Sequence, residues 1–505
     1  MLLNDFSGGY NSRIAAHLLP NNQAQEYNNI DATSGSLRSV KGNIDTGVVI
    51  NEFFTWYYAK NKWYSRSIDS DFIEFREKLY VSDGTKLKVY DGSSLKDVGI
   101  LEPSNILTIS VTTPTTEPTE NTYSYVYTYY NSITGIESKP SLPSNEVTGA
   151  LDITIDGFQA STQNNNDTYR LYRIGGGLTQ YTLVKELSYT TSSTTDTTTT
   201  DLELAGNHIL DTINDDIPPI GLKYITEAYA MLFGAVNDKL YFSSIARPHA
   251  WPVFNYIDFD GPITGIGAIA SGILVFTKFK TYIITGNTPG TLSKFLLDGS
   301  LGCLSHKSIQ ALSGSIIWLS NNGLSLSNGN GIQTPTLSVI ENLNIDTIYS
   351  SALVDGVYYL SYYTALGTKI VAYDNRYNSV LKFIDGFGKY LQGSKSNLYQ
   401  YNNGTLSQLL VGSPIPIKYR SPILTEGSYT NYKTYKDFYI KYNGNFTLQI
   451  FIDSVKVLNK SIEGNSCYNA KSLGLSKGYG LEFVITGIGE VSEIQYTAIG
   501  RQNDK

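Results

Sequence analysis

Apolar and polar residues alternate along most of this chain in runs of four to eight, and the runs are punctuated by glycine and asparagine. In "NTYSYVYTYYNSITGIESKPSLPSNEV" the tyrosines at 123, 125, 127 and 129 fall on one face of an extended backbone. "DTYRLYRIGGGLTQYTLVKEL" repeats the alternation on both sides of Gly175–Gly177. A period of two is the mark of a half-buried strand, and Asn-Gly or Asp-Gly steps supply the positive backbone angles of tight hairpins. The 3.6-residue period of an amphipathic helix is scarce. The best helical candidate is a short segment near Asn21 to Tyr27. The pattern therefore predicts an all-β chain.

The strand-turn-strand unit recurs. Copies are "EKLYVSDGTKLKVYDG" from Glu77, "NDKLYFSSIARPHAWP" from Asn237, "SGILVFTKFKTYIITG" from Ser271, "SGSIIWLSNNGLSLSNGNG" from Ser313, "DGVYYLSYYTALGTKIVAYD" from Asp355 and "SKSNLYQYNNG" from Ser394. With first strands at Leu79, Leu240, Ile273, Ile316, Tyr358 and Leu398, the last four steps are 33, 43, 42 and 40 residues. Four-stranded propeller blades repeat at about 40 to 50 residues, so the period predicts a β-propeller. The first step, 161 residues, is too long for one blade, and it falls to 52 once the 109 residues Pro103–Asp211 are taken as an inserted domain.

Alternation with regular turns makes that insertion a small β-sandwich similar to a fibronectin type III domain. Its Thr-rich flanks, "TTPTTEPTE" and "TTSSTTDTTTT", suit either flexible linkers or loop tips. In "KDFYIKYNGNFTLQIFID", Phe438, Ile440 and Tyr442 precede Asn443-Gly444, and Phe446, Leu448 and Ile450 follow, which predicts a hairpin turning at that step. The expected division is 1–102 for an N-terminal segment and first blade, 103–211 for the inserted sandwich, 212–415 for the remaining blades and 416–505 for a sandwich-like platform.

Composition narrows the function. At 505 residues the chain has room for about three structural units. The net charge is -7, from 45 acidic and 38 basic residues, which is not the footprint of a protein that grips nucleic acid. The two cysteines, Cys303 and Cys467, form no disulfide framework and match a reducing compartment. The opening "MLLNDFSGGYNSR" lacks a secretory leader, and no run approaches the roughly 20 apolar residues of a membrane span, so a soluble protein without stable membrane insertion is expected. Tyrosine supplies 40 aromatic residues against 19 phenylalanines and 4 tryptophans. It suits both strands and interfaces, because its ring is buried while its hydroxyl stays hydrogen-bonded.

Residues that carry chemistry are sparse. Four histidines, His17, His208, His249 and His306, are the raw material for any triad or zinc site. Ser305 and His306 are adjacent, which on a strand puts them on opposite faces. Cys303 and His306 have a C-x-x-H spacing but no second pair follows, so a packed cysteine and a hydrogen-bonded histidine are the expected reading. "GPITGIGAIASG" lacks the Lys-Ser/Thr of a phosphate loop, and its glycines are expected to serve turns between blades. "DFDG", Asp258–Gly261, offers oxygen ligands without a full calcium loop. In "YKTYKDFYIKY" from Tyr432 lysines alternate with tyrosines, as on a solvated strand face. No catalytic, cofactor-binding or metal-ligating residue is assigned, no cofactor is implied, and no enzyme is expected.

"SSIARPHAWPVFN", Ser243–Asn255, places a histidine and a tryptophan between two prolines. Pro248 and Pro252 cannot donate to a ladder, so the strand begun at Leu240 has to end and the chain turns outward. Trp251 is then free to cover neighbouring strands, which predicts a rigid joint between blades or subunits in preference to a catalytic loop.

"LYFSSIARPHAWP", "FDGPITGIGAIASGILVFTKFKTYIITGNTP", "GCLSHKSI" and "IIWLSNNGL" together resemble the tail-nozzle (tail tubular B, or stabilisation) proteins of short-tailed bacteriophages, most specifically over residues 237–331. "NDFSGGYNSR" and "NNIDATSGSLRSVKG" resemble the family's opening, and the Asn, Tyr, Ile and Lys usage suggests an AT-rich phage genome of the crAss-like kind. The matching positions are Pro248, Trp251, Pro252, Gly261, Gly286, Cys303, Ser305 and Gly323, all read as structural. In "YDNRYNSVLKF" the pattern departs, lacking a tryptophan near Leu381 or Phe383.

The resemblance implies a propeller with inserted and terminal β-domains, six copies forming a ring beneath portal and adaptor, contacts with tail fibres or receptor-binding proteins, and a channel through which genomic DNA passes without stable binding. It implies a virion protein assembled in the host cytoplasm. Six copies would carry a formal charge of about -42, a wall that releases few counterions and so holds duplex weakly. A carbohydrate-binding or glycoside-cleaving propeller is the alternative from a different class, with tyrosines as sugar platforms and paired carboxylates. A host-receptor adhesin carried by Pro103–Asp211 is compatible with the first reading.

Overall fold

The period-two runs become strands because successive side chains leave a pleated backbone on opposite faces, so one set is buried against a neighbour while the other meets water. The computed structural model describes residues 1–500 apart from 13, 115–120, 149, 164, 199, 336–344, 377, 378, 381–383, 386, 387 and 472–475. Among the described residues every element longer than four residues is a strand, and helix is confined to short 3-10 segments such as Asp201–Leu204 and His306–Ser308. The fold is all-β, of β-propeller type, with an inserted fibronectin type III-like sandwich and a terminal β platform. Asn21–Tyr27, expected as helix, instead holds the strand Gln23–Ala24 and the start of Glu26–Asn28. Ala24 and Tyr27 are buried there, and strand partners at Gly9–Tyr10 and Ile417–Arg420 capture the backbone.

Five of the repeated hairpins form as read. Lys78–Ser82 pairs with Leu87–Tyr90, Gly272–Thr277 with Thr281–Thr285, Ser315–Ser320 with Gly323–Ser327, Val357–Thr364 with Gly367–Asp374, and Asn397–Asn402 with Thr405–Gln408. The copy at Asn237 differs. Lys239–Phe242 pairs backwards with Met231–Val236, and forwards with Tyr256–Asp258 only after the whole loop 243–255. Most hairpins gain outer strands to make four-stranded meanders, as in Asp71–Phe75, Lys78–Ser82, Leu87–Tyr90, Leu95–Asp97.

The chain divides into two compact units, residues 1–69, 264–285 and 294–505, and residues 70–263 and 286–293. In the first unit, Ile44–Val49 joins the edge of the sheet Leu391–Ser394, Asn397–Asn402, Thr405–Gln408, so a strand from the N-terminal side completes the last blade. The same unit contains a nine-stranded platform built on Lys433–Ile452, Val455–Lys471 and Leu481–Gly500. The strands Leu2–Leu3, Glu26–Asn28, Ile30–Asp31 and Leu37–Ser39, which sequence analysis grouped with the first blade, hydrogen-bond into this platform. Their buried residues Phe6, Ala24, Tyr27, Ile30 and Leu37 share its core.

The turn expected at Asn443-Gly444 is not there. Lys433–Ile452 runs straight through, and the hairpin turns at Asp453 and Ser454, both with positive φ. Gly444 pairs with Gly464 on one side and Gly489 on the other, and a Cβ on it would collide with the Ile488 carbonyl. The glycine thus permits close approach of long strands where the dipeptide alone signals a turn. The alternation itself holds: Phe438, Ile440, Tyr442, Phe446, Leu448 and Ile450 are all buried.

In the second unit, one sheet of the sandwich is Thr108–Pro114, Ala150–Asp156, Ser193–Asp196, and the other is Ile136–Glu137, Thr122–Asn131, Thr168–Gly175, Leu178–Ser188. Tyr125, Tyr127 and Tyr129 point inward onto Ile109, Ile153, Ile155, Tyr169 and Leu171. Part of the Thr-rich flank is therefore a strand, Ser193–Asp196, while residues 115–120 of the other flank lie outside the described residues. One edge is closed by "SKPSLPS". Ser138, Ser141 and Ser144 donate backbone N–H to the carbonyls of Tyr129, Tyr127 and Tyr125, and their hydroxyls accept the N–H of the same tyrosines at 2.9, 3.2 and 3.0 Å. Serine supplies both bonds where the intervening prolines supply no donor, and the edge is no longer open to another strand.

Candidate functional site

The segment 243–255 lies wholly in the second unit. Ser243 closes the strand before it: its N–H bonds the Leu232 carbonyl and its hydroxyl accepts from Leu232 N–H at 3.0 Å. A tight local chain follows, Ala246 N–H to Ala230, Arg247 N–H to Ser244 and Ala250 N–H to Arg247, so the loop satisfies its own backbone after the ladder ends. Pro248 leaves its carbonyl to the Trp251 indole N–H at 2.9 Å.

Trp251 is 2% exposed and packs with Phe75, Tyr80, Leu87 and Val98 of one blade and Leu222, Ile225 and Leu232 of the next. Its backbone N–H takes the Asp216 carbonyl at 2.7 Å, and Val253 N–H takes the Asp216 carboxylate at 3.2 Å. The other Asp216 oxygen holds Lys139 of the sandwich at 2.8 Å. Arg247 reaches Asp211 at 3.4 Å and also Asp215. The loop thus wedges between two blades and clamps the strand of chain returning from the inserted sandwich.

Electrostatics here are opposed. Burial, with further repulsion from Asp211, Asp216 and Glu137, pushes the Asp215 pKa up to about 6 against the pull of Arg247. Burial, then Arg247 and Lys78, push the His249 pKa down to about 4. A raised carboxylate pKa means stability falls as pH climbs from about 4 to 6, while a lowered histidine pKa means stability rises between about 4 and 6.5. The two slopes offset each other. In Asp215→Asn only the histidine slope remains, so the melting temperature should climb more steeply between pH 4 and 6 than in the parent; parallel profiles would show that Asp215 titrates normally.

The remaining motif residues are dispersed. Gly261 precedes the strand Ile263–Ile269, and Gly286, at φ 108, passes so close to the Thr291 carbonyl that a side chain would collide. In the first unit Cys303 is fully buried with Ile269, Leu274, Phe276, Ile283, Ile316 and Trp318. Its thiol donates to the Ser305 carbonyl at 3.2 Å, and burial pushes its pKa up to about 12, which removes it from thiolate chemistry. The Trp318 indole N–H donates to the Gly302 carbonyl at 3.0 Å. Ser305 caps the 3-10 turn His306–Ser308, accepting from Lys307 N–H, so the opposite-face geometry of a strand does not apply to Ser305 and His306. Gly323, at φ 99, opens the strand Gly323–Ser327 directly after the turn at 321–322 and pairs with Ser320. Leu381 and Phe383 lie outside the described residues.

Other candidates resolve into structure. His306 Nδ1 accepts from Ile266 N–H at 3.4 Å. Asp258 of "DFDG" is paired with Lys239 at 2.8 Å. Gly265 and Gly267, expected at turns, sit inside the strand Ile263–Ile269, where an added Cβ would meet Ile309 at 2.5 Å and Ile316 at 3.0 Å; they make room for those side chains. Of the lysines in "YKTYKDFYIKY", Lys433 is buried and donates to the carbonyls of Ser428, Asn431 and Tyr479, while Lys436 and Lys441 are exposed. No group of three or more His, Cys, Asp or Glu able to hold a metal is present among the described residues, and none of their helices is long and apolar enough to cross a membrane.

Sequence reasoning missed a buried ionic network inside the sandwich. Arg173, 3% exposed, holds Asp196 at 2.9 Å and Asp201 at 2.7 Å, and the Tyr125 hydroxyl donates to Asp196 at 2.7 Å. Arg170 holds Glu137 at 2.7 Å, and Glu137 also accepts from Thr128 and Tyr172, both at 2.6 Å. The available signal was two arginines, 170 and 173, flanking Leu171-Tyr172 and so one on each face of an otherwise largely apolar strand.

No family model matches the chain, and no curated protein matches it. Solved structures with partial similarity include Sqt1 of Saccharomyces cerevisiae (10% identity, 90% of this chain and 99% of that one, TM-score 0.31). Hsv2 of Kluyvelomyces marxianus is similar at 8% identity over 54% of this chain and 85% of that one, with TM-score 0.26. An exo-β-1,3-galactanase of Phanerochaete chrysosporium shows 8% identity over 90% and 100%, with TM-score 0.20. At these scores the similarities carry no functional argument.

Proposed function

We propose that this chain is a structural subunit of a short bacteriophage tail, a nozzle or hub protein that assembles with copies of itself, six by the resemblance, around a DNA ejection channel, and that it is not an enzyme. The observation that carries this reading is what the motif residues do. Trp251, Cys303, Ser305 and the glycines at 286 and 323 are spent on packing, capping and turns, which is the use expected of markers of a scaffold. The net charge of -7 accords with a wall that lets duplex pass without counterion-releasing contacts. Portal, adaptor and fibre proteins would be its neighbours in the virion.

The test is the native mass of the purified chain, together with imaging of the particle and DNA retention across a salt series. A ring with a central hole and no salt-titratable DNA retention is expected. A monomer at micromolar concentration, or tight binding that weakens with salt, would overturn the proposal.

A further inference from the structure

The first unit holds a cleft of about 430 Å³ between the platform strands near residues 31–41 and the two last blades, a size in the range of small-ligand sites. Tyr359 lines it while only 6% exposed, and its hydroxyl has no hydrogen-bond partner among the described residues. Burial raises its pKa, Asp31, Asp374 and Asp355 raise it further and Arg376 opposes them; Asp31, Asp355 and Arg376 line the same cleft. The ring is buried while the hydroxyl is not one of the fully buried polar atoms, so its free bonding capacity opens onto the cleft.

The charges around it select the ligand. Arg376 is already bound to Asp374 through two bonds at 2.9 and 2.7 Å, and Arg38 to Glu490 at 3.3 Å. Lys41 and Asp355 line the cleft and are exposed. An incoming anion would meet three cations against the four carboxylates of Asp31, Asp355, Asp374 and Glu490, so nothing draws it in. A neutral hydroxyl-bearing ligand fits instead. Tyr359 and Lys41 can donate to its oxygens, Asp355 can accept from its hydroxyls, and Val357 and Leu398 offer an aliphatic wall for C–H faces.

We propose that this cleft binds a neutral saccharide unit, with Tyr359 and Asp355 as hydrogen-bonding residues, an activity distinct from the scaffold role above. The experiment is saturation-transfer NMR on the full chain with glucose, galactose, mannose, N-acetylglucosamine, maltose and lactose at millimolar concentration, repeated with Tyr359→Phe and Asp355→Asn. At least one sugar should bind the parent, with affinity about tenfold lower in each variant. The melting temperature of Tyr359→Phe should match the parent, because the hydroxyl bonds nothing within the protein. Asparagine tolerates the positive φ at position 355, so that turn is kept. No binding across the panel, binding that both variants leave unchanged, or displacement of the sugar by inorganic phosphate or glycine would overturn the assignment.

Discussion

Trp251→Ala is expected to destabilise the second unit by about 3–5 kcal/mol, since the ring is 2% exposed between two blades and its loss leaves a cavity that both walls cannot close. For a unit of this size that is a drop in melting temperature on the order of 10 °C. Trp251→Phe should keep most of the packing and lose the bond to the Pro248 carbonyl, at about 1 kcal/mol. Because the loop also clamps Asp216, the alanine variant should make the chain between the sandwich and the blade easier to cleave by protease. A melt within about 2 °C of the parent, by calorimetry, would show that the ring is not a wedge.

Arg173→Met should cost about 3–5 kcal/mol, because it strands a carboxylate in the sandwich interior. Burial pushes the Asp196 pKa up, but the bonds from Thr198, Tyr125 and Arg173 outweigh it and hold the group below the usual carboxylate range. A lowered pKa contributes stability above about pH 4 that is lost on acidification. Once the guanidinium is gone Asp196 can take a proton, so the penalty should shrink as the pH falls toward 4. The double variant Arg173→Met/Asp196→Asn should recover part of the loss. If denaturant titration shows the single variant equal to the parent, the pair is not a structural element of the sandwich.

The legible parts of this chain were those where a single strand decides the outcome. Tyr125, Tyr127 and Tyr129 had to share a face, and five hairpins closed where the alternation and glycines placed them. The Asn443-Gly444 step was misread because a turn and a close backbone crossing ask for the same residue, and only the neighbours Gly464 and Gly489 tell them apart. The joint at 243–255 was half legible. Two prolines announced that a ladder ends, but not that Asp216, returning from the inserted sandwich, would receive Trp251.

By itself, then, the order of residues determined strand content, the inward face of each run, the blade-length period and the presence of an insertion, since all of these follow from the two-residue periodicity of an extended backbone. Only the tertiary structure decided that strands near the N-terminus complete the last blade and the terminal platform, that Arg173 and Asp196 are buried together, and that Tyr359 is left unbonded in a cleft. Those outcomes depend on which distant segments exclude water from one another, and a local period carries no record of distant partners.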